Sequence, residues 1–251
     1  LNMPKKNNLK KLLAKGESVI GTWCEIPSPE VINILAKAGL DFVIIDMEHG
    51  VMDFNLAGKM VLAAEVENCF PLIRVPRNDG SDILRALETA AEGIIVPHIE
   101  SRKDREKTIS YAKFPPIGER SLNPYTRAGG YQSRKEYTEE QNESSFIGLI
   151  VEGKDGIQNI EEIIDDKNVD LVYIGAYDIS SMLGIPGDTK NPLVFDTLKK
   201  IAKLARSKNK AVGGLFHDKE EMKLFKKIGL QFLCYKVDTS IVFDEIQNIF
   251  K

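Results

Sequence analysis

The amino-acid sequence predicts a (β/α)8 barrel, the eight-stranded TIM barrel of the α/β class. Eight apolar runs rich in β-branched and aromatic residues recur at fairly even intervals, and amphipathic stretches separate them. Repeated alternation of strand and helix is the pattern of a parallel sheet with crossover helices. The chain has 251 residues, and α/β barrels routinely use about 250 residues in one domain.

The predicted strands are short and mostly apolar throughout, as expected for strands that are buried on both faces of a parallel sheet. They cover residues 19–26, 42–48, 70–76, 93–100, 146–152, 171–178, 211–216 and 232–238. A doubly wound open sheet is the alternative fold. No GxGxxG motif follows the first strand, and neither GxxxxGKS nor GxxxxGKT occurs in the chain, so a nucleotide-binding sheet is disfavoured.

The stretches between the strands carry helix signals. Ser28 stands where a helix N-cap belongs, Pro29 takes the first helical position, and Gly39 stands where that helix should end. Helical stretches are predicted at 28–40, 79–91, 101–114, 155–166, 194–209, 218–230 and 239–251.

The whole chain, 1–251, is predicted to form a single barrel domain with an N-terminal helix before strand one. One connection, at about 114–145, is too long for a plain loop. Connections of this length are uncommon in compact domains and are often functional. This segment is therefore a candidate functional segment.

Composition limits the classes of partner. The net charge is −3, so no bulk basic field attracts nucleic acid or an anionic membrane. The cysteines Cys24, Cys69 and Cys234 are odd in number and lack CxxC spacing, which disfavours a disulfide scaffold and a thiolate zinc site. No apolar run approaches the ~18 residues of a membrane span. We expect a cytoplasmic protein with buried free thiols.

Polar residues cluster at the carboxyl ends of the predicted strands, which is where barrel enzymes place their active sites. A charged residue that follows several apolar ones is costly to bury unless it is paired or binds a metal. The residues concerned are Asp46, Glu48, His49, Arg74, His98, Glu100, Glu152, Asp178 and Asp238.

Glu152 and Asp178 are the predicted metal ligands. Each follows an apolar strand, and the two strands are consecutive in the chain. Two carboxylates with several positions left for water suit Mg²⁺ or Mn²⁺. A helix N-cap or a salt bridge is the alternative role for each of them.

His49 is the predicted general base, because an imidazole titrates near neutral pH. Asp46, three residues earlier, would orient the imidazole through a hydrogen bond. In the alternative interpretation His49 caps a helix and Asp46 binds backbone. Arg74 would grip a substrate carboxylate with its planar fork, or would form an ion pair with Asp46 or Glu48. No GxSxG motif supports a serine hydrolase.

Several segments together resemble the class II pyruvate aldolases of the HpcH/HpaI type. The resemblance extends from about Gly21 to Asp238. The segments are DFVIIDMEHG, PLIRVPRND, EGIIVPHIES, PPIGER, VEGKDGIQNIEEI and VDLVYIGAYDISSMLGIPGD.

The resemblance implies a metal-dependent aldolase that reversibly cleaves a 4-hydroxy-2-oxo acid into pyruvate and an aldehyde. It implies a divalent metal held by Glu152 and Asp178, Mg²⁺ or Mn²⁺ with Co²⁺ as a further candidate. His49 would be the base, working with Asp46. It also implies a homo-oligomer, either a hexamer of three dimers with exchanged last helices or a dimer.

The resemblance further implies how the substrate is bound. Arg74 would bind the 2-oxo oxygen and stabilise the enolate. Ala176 and Tyr177 would bind the substrate carboxylate through the backbone amides around Tyr177 and Asp178.

Some positions depart from the family pattern. Glu88 replaces an Asp that reaches a neighbouring subunit's site, Ile150 replaces a Gln before the metal ligand, and Tyr235-Lys236 replaces a Gly-Ser pair. The long connection contains Arg120 and Arg127, which would grip a second anionic group or anchor the loop. These departures keep one alternative open, a synthase such as one forming citrate from oxaloacetate and an acetyl donor. A third hypothesis is a binding barrel that has lost catalysis, but the site residues are retained together, which argues against it: Asp46, His49, Arg74, Glu152 and Asp178.

Overall fold

The computed structural model describes residues 8–251, and within them eight parallel strands close into a barrel in chain order, β1 to β8. This confirms the predicted fold class. The strands are β1 (Val19–Cys24), β2 (Phe42–Asp46), β3 (Phe70–Arg74), β4 (Gly93–Ile99), β5 (Phe146–Val151), β6 (Leu171–Ile174), β7 (Ala211–Phe216) and β8 (Phe232–Val237).

Helices alternate with these strands and cover the outside of the barrel. They are α1 (Asn8–Ala14), α2 (Pro29–Lys37), α3 (Phe54–Val66), α4 (Gly80–Glu88), α5 (Arg102–Ala112), α6 (Tyr137–Ser144), α7 (Gly153–Gln158), α8 (Ile160–Ile163), α9 (Ala176–Met182), α10 (Pro192–Ser207), α11 (Lys219–Ile228) and α12 (Asp238–Asn248). The predicted domain of 1–251 also includes residues 1–7, which lie outside the described part of the chain.

Local signals set several boundaries. Ser28 caps α2 by accepting the backbone N–H of Val31 at 3.3 Å, and Gly39 follows the helix with a left-handed φ of +104°. Both agree with the sequence prediction. Strand β6 is shorter than predicted, because it ends at Ile174, and Gly175 is already the N-cap of helix α9, which begins at Ala176.

The barrel interior is filled by aromatic and aliphatic side chains. The rings of Phe42 and Phe232 stack with centroids 3.8 Å apart, and Phe146 lies on the other side of Phe232 at 6.2 Å. Gly93 makes this packing possible, because a Cβ there would lie 2.1 Å from the carbonyl oxygen of Phe146. A second apolar layer joins the outer faces of the strands to the helices.

The long connection between α5 and β5 is folded against the barrel. It contains a 3₁₀ helix at Arg127–Gly129 and helix α6. Lys113, which is almost fully buried, donates from Nζ to the carbonyl oxygens of Asn142 at 2.6 Å and Ser145 at 3.0 Å. These contacts hold the beginning and the end of the long connection together.

The three cysteines are free and buried, as predicted. Among the helices of residues 8–251, none is both long enough and apolar enough to cross a membrane.

Candidate active site

A cavity of about 370 Å³ opens at the carboxyl ends of the strands. The barrel topology gathers these ends at one rim, so side chains far apart in sequence meet there. The predicted site residues that line this cavity are Asp46, His49, Arg74, Glu152, Ala176, Tyr177 and Asp178. A second cavity of about 390 Å³, beside Phe146 and Ala211 at the amino ends of the strands, contains none of the predicted site residues.

Arg74 is clamped at the rim by two carboxylates and a ring. Asp46 is its register partner on β2 and accepts from Nε at 2.8 Å and from Nη2. Nη1 of Arg74 lies 2.9 Å from Oε2 of Glu48, and the guanidinium stands 4.5 Å from the ring centroid of Trp23. Burial alone would lower the Arg74 pKa, but the hydrogen bond and charge of Asp46 outweigh it and the pKa is raised. A permanent cation therefore faces the cavity in a fixed orientation.

Asp46 does not orient His49 as predicted. Its Oδ1 accepts the backbone N–H groups of Glu48 at 3.0 Å and His49 at 3.2 Å. Both carboxylate oxygens also accept from Arg74, and within residues 8–251 the hydrogen bonds of Asp46 do not include the imidazole of His49. The carboxylate caps the turn that follows β2 and holds Arg74 in place. His49 nevertheless lines the cavity.

His98, on β4, joins two acidic side chains, Glu48 after β2 and Glu152 after β5. Its backbone has a left-handed φ of +58°, which interrupts the regular register between β4 and β5. Nε2 lies 2.7 Å from Oε1 of Glu48, and Nδ1 lies 2.8 Å from Oε2 of Glu152. The contacts of Arg74 and His98 thus join Asp46, Glu48 and Glu152 into one network across the rim.

Glu152 and Asp178 present two half-buried carboxylates to the same cavity. Burial is the largest cause of a raised Glu152 pKa; Glu48 and Asp178 raise it further and His98 opposes them. Gly175 leaves room for Asp178, because a Cβ there would lie 2.4 Å from Oδ2. Half-buried carboxylates that repel one another, with only oxygen donors, fit a hard cation such as Mg²⁺ or Mn²⁺.

Within residues 8–251 the side chains do not form a complete set of metal ligands by themselves. In the part of the chain that the structure describes, no three His, Cys, Asp or Glu side chains are grouped to hold a metal ion. Two protein carboxylates with the remaining positions taken by water and substrate are the arrangement that Mg²⁺ favours.

The loop arginines are not at the cavity, which corrects their predicted substrate-binding role. Arg120 is buried, donates from Nη2 to Oε1 of Glu88 at 2.8 Å, and stacks 4.6 Å from the Phe114 ring centroid. Arg127 pairs with Glu65 and donates from Nη1 to the carbonyl oxygen of Thr89 at 2.6 Å. Both side chains anchor the long connection to the barrel.

Glu88 also lies away from this subunit's cavity, because Arg120 holds it at the end of α4. Its predicted contact with a neighbouring subunit's site stays a prediction.

The structure adds cavity residues that the sequence analysis did not select. His217 directly follows β7, Glu221 lies in the first turn of α11, and Glu25 follows β1. The signal for His217 was present, since it is a polar residue at a strand end. Trp23 and Tyr173 carried no such signal; they form the cavity floor, where Nε1 of Trp23 donates to Tyr173 Oη at 2.9 Å.

These features define a class of protein: an α/β-barrel enzyme with a fixed guanidinium beside acidic side chains at the carboxyl rim. The sequence profile described as HpcH/HpaI aldolase/citrate lyase matches residues 19–244. The chain belongs to this family, as its motifs predicted. Together with its aldolase relatives, this membership makes the protein a carbon–carbon lyase.

Individual relatives cover nearly the whole chain. A hydroxypyruvate/pyruvate aldolase of Roseobacter denitrificans is 29% identical over 244 residues, which are 97% of this chain and 95% of that protein. An HpcH/HpaI aldolase/citrate lyase family protein of Burkholderia cenocepacia superposes with a TM-score of 0.90 at 25% identity, covering 97% and 98% of the two chains. The citrate synthase SbnG superposes with a TM-score of 0.86 at 29% identity, covering 96% and 95%.

Proposed function

We propose that the protein is a divalent-metal-dependent aldolase that reversibly cleaves a 4-hydroxy-2-oxo acid into pyruvate and an aldehyde. The observation that carries this proposal is the placement of the clamped Arg74 cation in one cavity with the Glu152 and Asp178 carboxylates. An enolate that forms there meets a fixed positive charge in a partly buried site. The electrostatic attraction between the two charges is stronger there than in water.

Glu152 and Asp178 are the residues that would hold the cation, which is Mg²⁺ or Mn²⁺ in this proposal. A bound divalent cation would supply Lewis-acid stabilisation of the negative charge on the substrate's 2-oxo oxygen.

In this proposal one residue transfers the proton and another stabilises the negative charge. His49 takes the proton of the 4-hydroxyl group, and the C4–O bond becomes a carbonyl as the C3–C4 bond breaks. The electron pair of that bond becomes the pyruvate enolate, whose oxygen Arg74 stabilises. Return of a proton to C3 completes the pyruvate methyl group. Ala176 and Tyr177, on the same cavity wall, would bind the carboxylate.

The test measures the two halves of this reaction with added Mg²⁺ or Mn²⁺. We expect pyruvate release from 4-hydroxy-2-oxo acids and solvent isotope exchange into the pyruvate methyl group, both abolished by a chelator. Glu152→Gln should weaken metal binding, measured by titration calorimetry, and reduce exchange by about 10²-fold or more while the fold persists by circular dichroism.

The exposed Glu161→Gln substitution, on helix α8, is the matched control. Absence of exchange and pyruvate release with metal demonstrably bound would contradict the aldolase proposal. Full metal affinity in Glu152→Gln would contradict the ligand assignment.

A second candidate function is a synthase on the same scaffold. The observation that favours it is the 29% identity to the citrate synthase SbnG over 96% of this chain. Citrate formation from oxaloacetate and an acetyl donor, without pyruvate methyl exchange, would select this alternative.

We also propose that the enzyme assembles through α12. Its outer face and the residues after it expose large apolar side chains: Val242, Phe243, Ile246, Ile249 and Phe250. An apolar face of this kind is typical of an interface. The proposed assembly is a homo-oligomer, a dimer or a hexamer of three dimers.

The cytoplasm is the proposed location. The three free thiols are buried, and burial raises the pKa of Cys69 to about 12, so this thiol stays protonated. Free cysteines of this kind are typical of proteins in reducing compartments.

A further inference from the structure

One wall of the cavity carries a polar pair that the proposed enolate chemistry does not use. His217 directly follows β7, and Glu221 projects from the first turn of α11. Both residues line the cavity that holds Arg74, Glu152 and Asp178.

Glu221 holds His217 in one orientation. Its Oε2 accepts the backbone N–H of His217 at 2.8 Å and lies 3.1 Å from Nδ1 of the same residue. The turn is fixed by Asp218, which caps α11 by accepting the N–H groups of Glu220 and Glu221 at 2.9 and 2.8 Å. The Glu221 side chain is 9% exposed, whereas the His217 side chain is 49% exposed. The buried carboxylate therefore orients an accessible imidazole.

The orientation determines which ring atom is free to bind. A carboxylate that faces Nδ1 keeps a proton on that nitrogen. Within the described residues Nε2 of His217 has no hydrogen-bond partner. Nε2 can accept a hydrogen bond from a ligand when the ring is neutral and can donate one when the ring is charged.

We propose that His217, positioned by Glu221, binds a hydroxyl group of the aldehyde fragment, and that the enzyme's acceptors are short, uncharged hydroxyaldehydes. This inference rests on the proposed function, which assigns the pyruvate fragment to Arg74, Glu152 and Asp178 and leaves the His217 wall to the aldehyde. A hydroxyl group both donates and accepts, so it matches the imidazole in either charge state.

The charges around the cavity oppose an anionic aldehyde. Glu25 lines the cavity beside the end of β1, and Glu221 adds a second carboxylate on this wall. The cation that could compensate them, Arg74, is already paired with Asp46 and Glu48. A carboxylate on the aldehyde fragment would thus meet like charges, while an aldehyde without a hydroxyl would not make the hydrogen bond to the imidazole.

The test compares three small acceptors in aldol addition to pyruvate: glycolaldehyde, acetaldehyde, which lacks only the hydroxyl group, and glyoxylate, which carries a carboxylate. We expect the wild-type enzyme to have its highest kcat/KM with glycolaldehyde. His217→Ala should lower this value about tenfold, mainly through KM, because one hydrogen bond is lost. Its kcat/KM with acetaldehyde and its rate of pyruvate methyl exchange should stay within about twofold of wild type.

Variants of α11 separate positioning from folding. Glu221→Ala should reproduce the loss seen in His217→Ala, whereas Glu221→Gln keeps an acceptor oxygen for both contacts and should restore most of the glycolaldehyde preference. Glu220→Ala is the matched control, because Glu220 pairs with Lys223 at 2.7 Å and does not line the cavity.

The outcomes distinguish this inference from the function on which it rests. Normal methyl exchange with an unchanged or uniformly reduced aldehyde profile in His217→Ala would overturn the His217 assignment alone. A wild-type preference for glyoxylate would overturn the assignment of an uncharged acceptor. Absence of methyl exchange in the wild type would overturn the aldolase proposal and this inference with it.

Discussion

The orientation of the Arg74 guanidinium is set by contacts with three single side chains. Asp46 engages two of its nitrogen atoms, Glu48 lies beside the third, and the Trp23 ring lies against it. Sequence reasoning offered two roles for Arg74, substrate binding or an ion pair. The structure places the ion pair inside the cavity, where it fixes the direction of the cation; the two roles are therefore compatible, and substrate binding by Arg74 stays a proposal.

Arg74→Lys tests this role of the planar fork. Lysine keeps the charge but cannot make the two-pronged contact with Asp46, so the cation loses its fixed direction. We expect pyruvate methyl exchange to fall by about 10²-fold, the usual effect of losing one preorganised electrostatic contact. Thermal unfolding should also occur at a lower temperature, because Asp46 is buried and loses part of its pairing.

Arg77→Lys is the control for this substitution, since Arg77 lies three residues further on with its side chain 75% exposed. Exchange within a factor of about two of wild type in Arg74→Lys would contradict the assigned role, since a critical contact costs far more.

Among the elements, the connection between α5 and β5 departs most from what the sequence predicted. Its length correctly indicated an unusual segment, but its arginines turn inward. Arg120 pairs with Glu88 across 32 positions, and Arg127 pairs with Glu65 across 62 positions. Such partners depend on how α3 and α4 pack beside the connection. Local patterns contain no information on that packing.

The buried Lys113, which anchors this connection, should make the stability of the protein depend on pH. Burial, the largest cause, lowers the pKa of Lys113 to about 7 from its ordinary 10.5. Between these two values the unfolded chain holds a proton that the folded chain lacks, so the free energy of unfolding rises with pH. This single group contributes a slope of up to about 1.4 kcal/mol per pH unit. Below pH 7 both states are protonated and the contribution is flat.

Lys113→Met should remove this contribution. Urea unfolding between pH 7.5 and 9.5 should show a smaller increase in stability for Lys113→Met than for wild type. Lys103→Met, an exposed position on α5, should keep the wild-type slope. Equal slopes in all three proteins would show that Lys113 is charged in the fold.

At the scale of the whole molecule, the barrel leaves the last helix with an uncovered apolar face. Phe243 is 63% exposed and Ile246 is 54% exposed. The sequence indicated an amphipathic helix here, but periodicity alone predicts that the apolar stripe packs on the helix's own barrel. The structure instead leaves these side chains outside, which supports the proposed contact with a second subunit.

Replacing Phe243 and Ile246 together by Glu should convert the assembly to monomers, because two charges would be buried without partners in the interface. Light scattering coupled to gel filtration measures the mass directly. Gln247→Glu adds a charge to the same helix and should leave the mass unchanged. A wild-type monomer, or an unchanged mass in the double variant, would rule out α12 as the interface.

The sequence by itself determined the alternation of eight strands with helices, because apolar runs and amphipathic stretches are local patterns. That pattern favoured the barrel over an open doubly wound sheet, and the structure confirmed that the sheet closes. The sequence also determined that Asp46, Arg74, Glu152 and Asp178 share a rim, since parallel strands in a closed barrel all end on the same side.

Only the tertiary structure decided the partners: Asp46 holds Arg74 rather than His49, Arg120 anchors a loop, and Glu221 orients His217. Each of these depends on distances of a few ångströms between elements, which are set by side-chain packing and not by the order of residues along one strand.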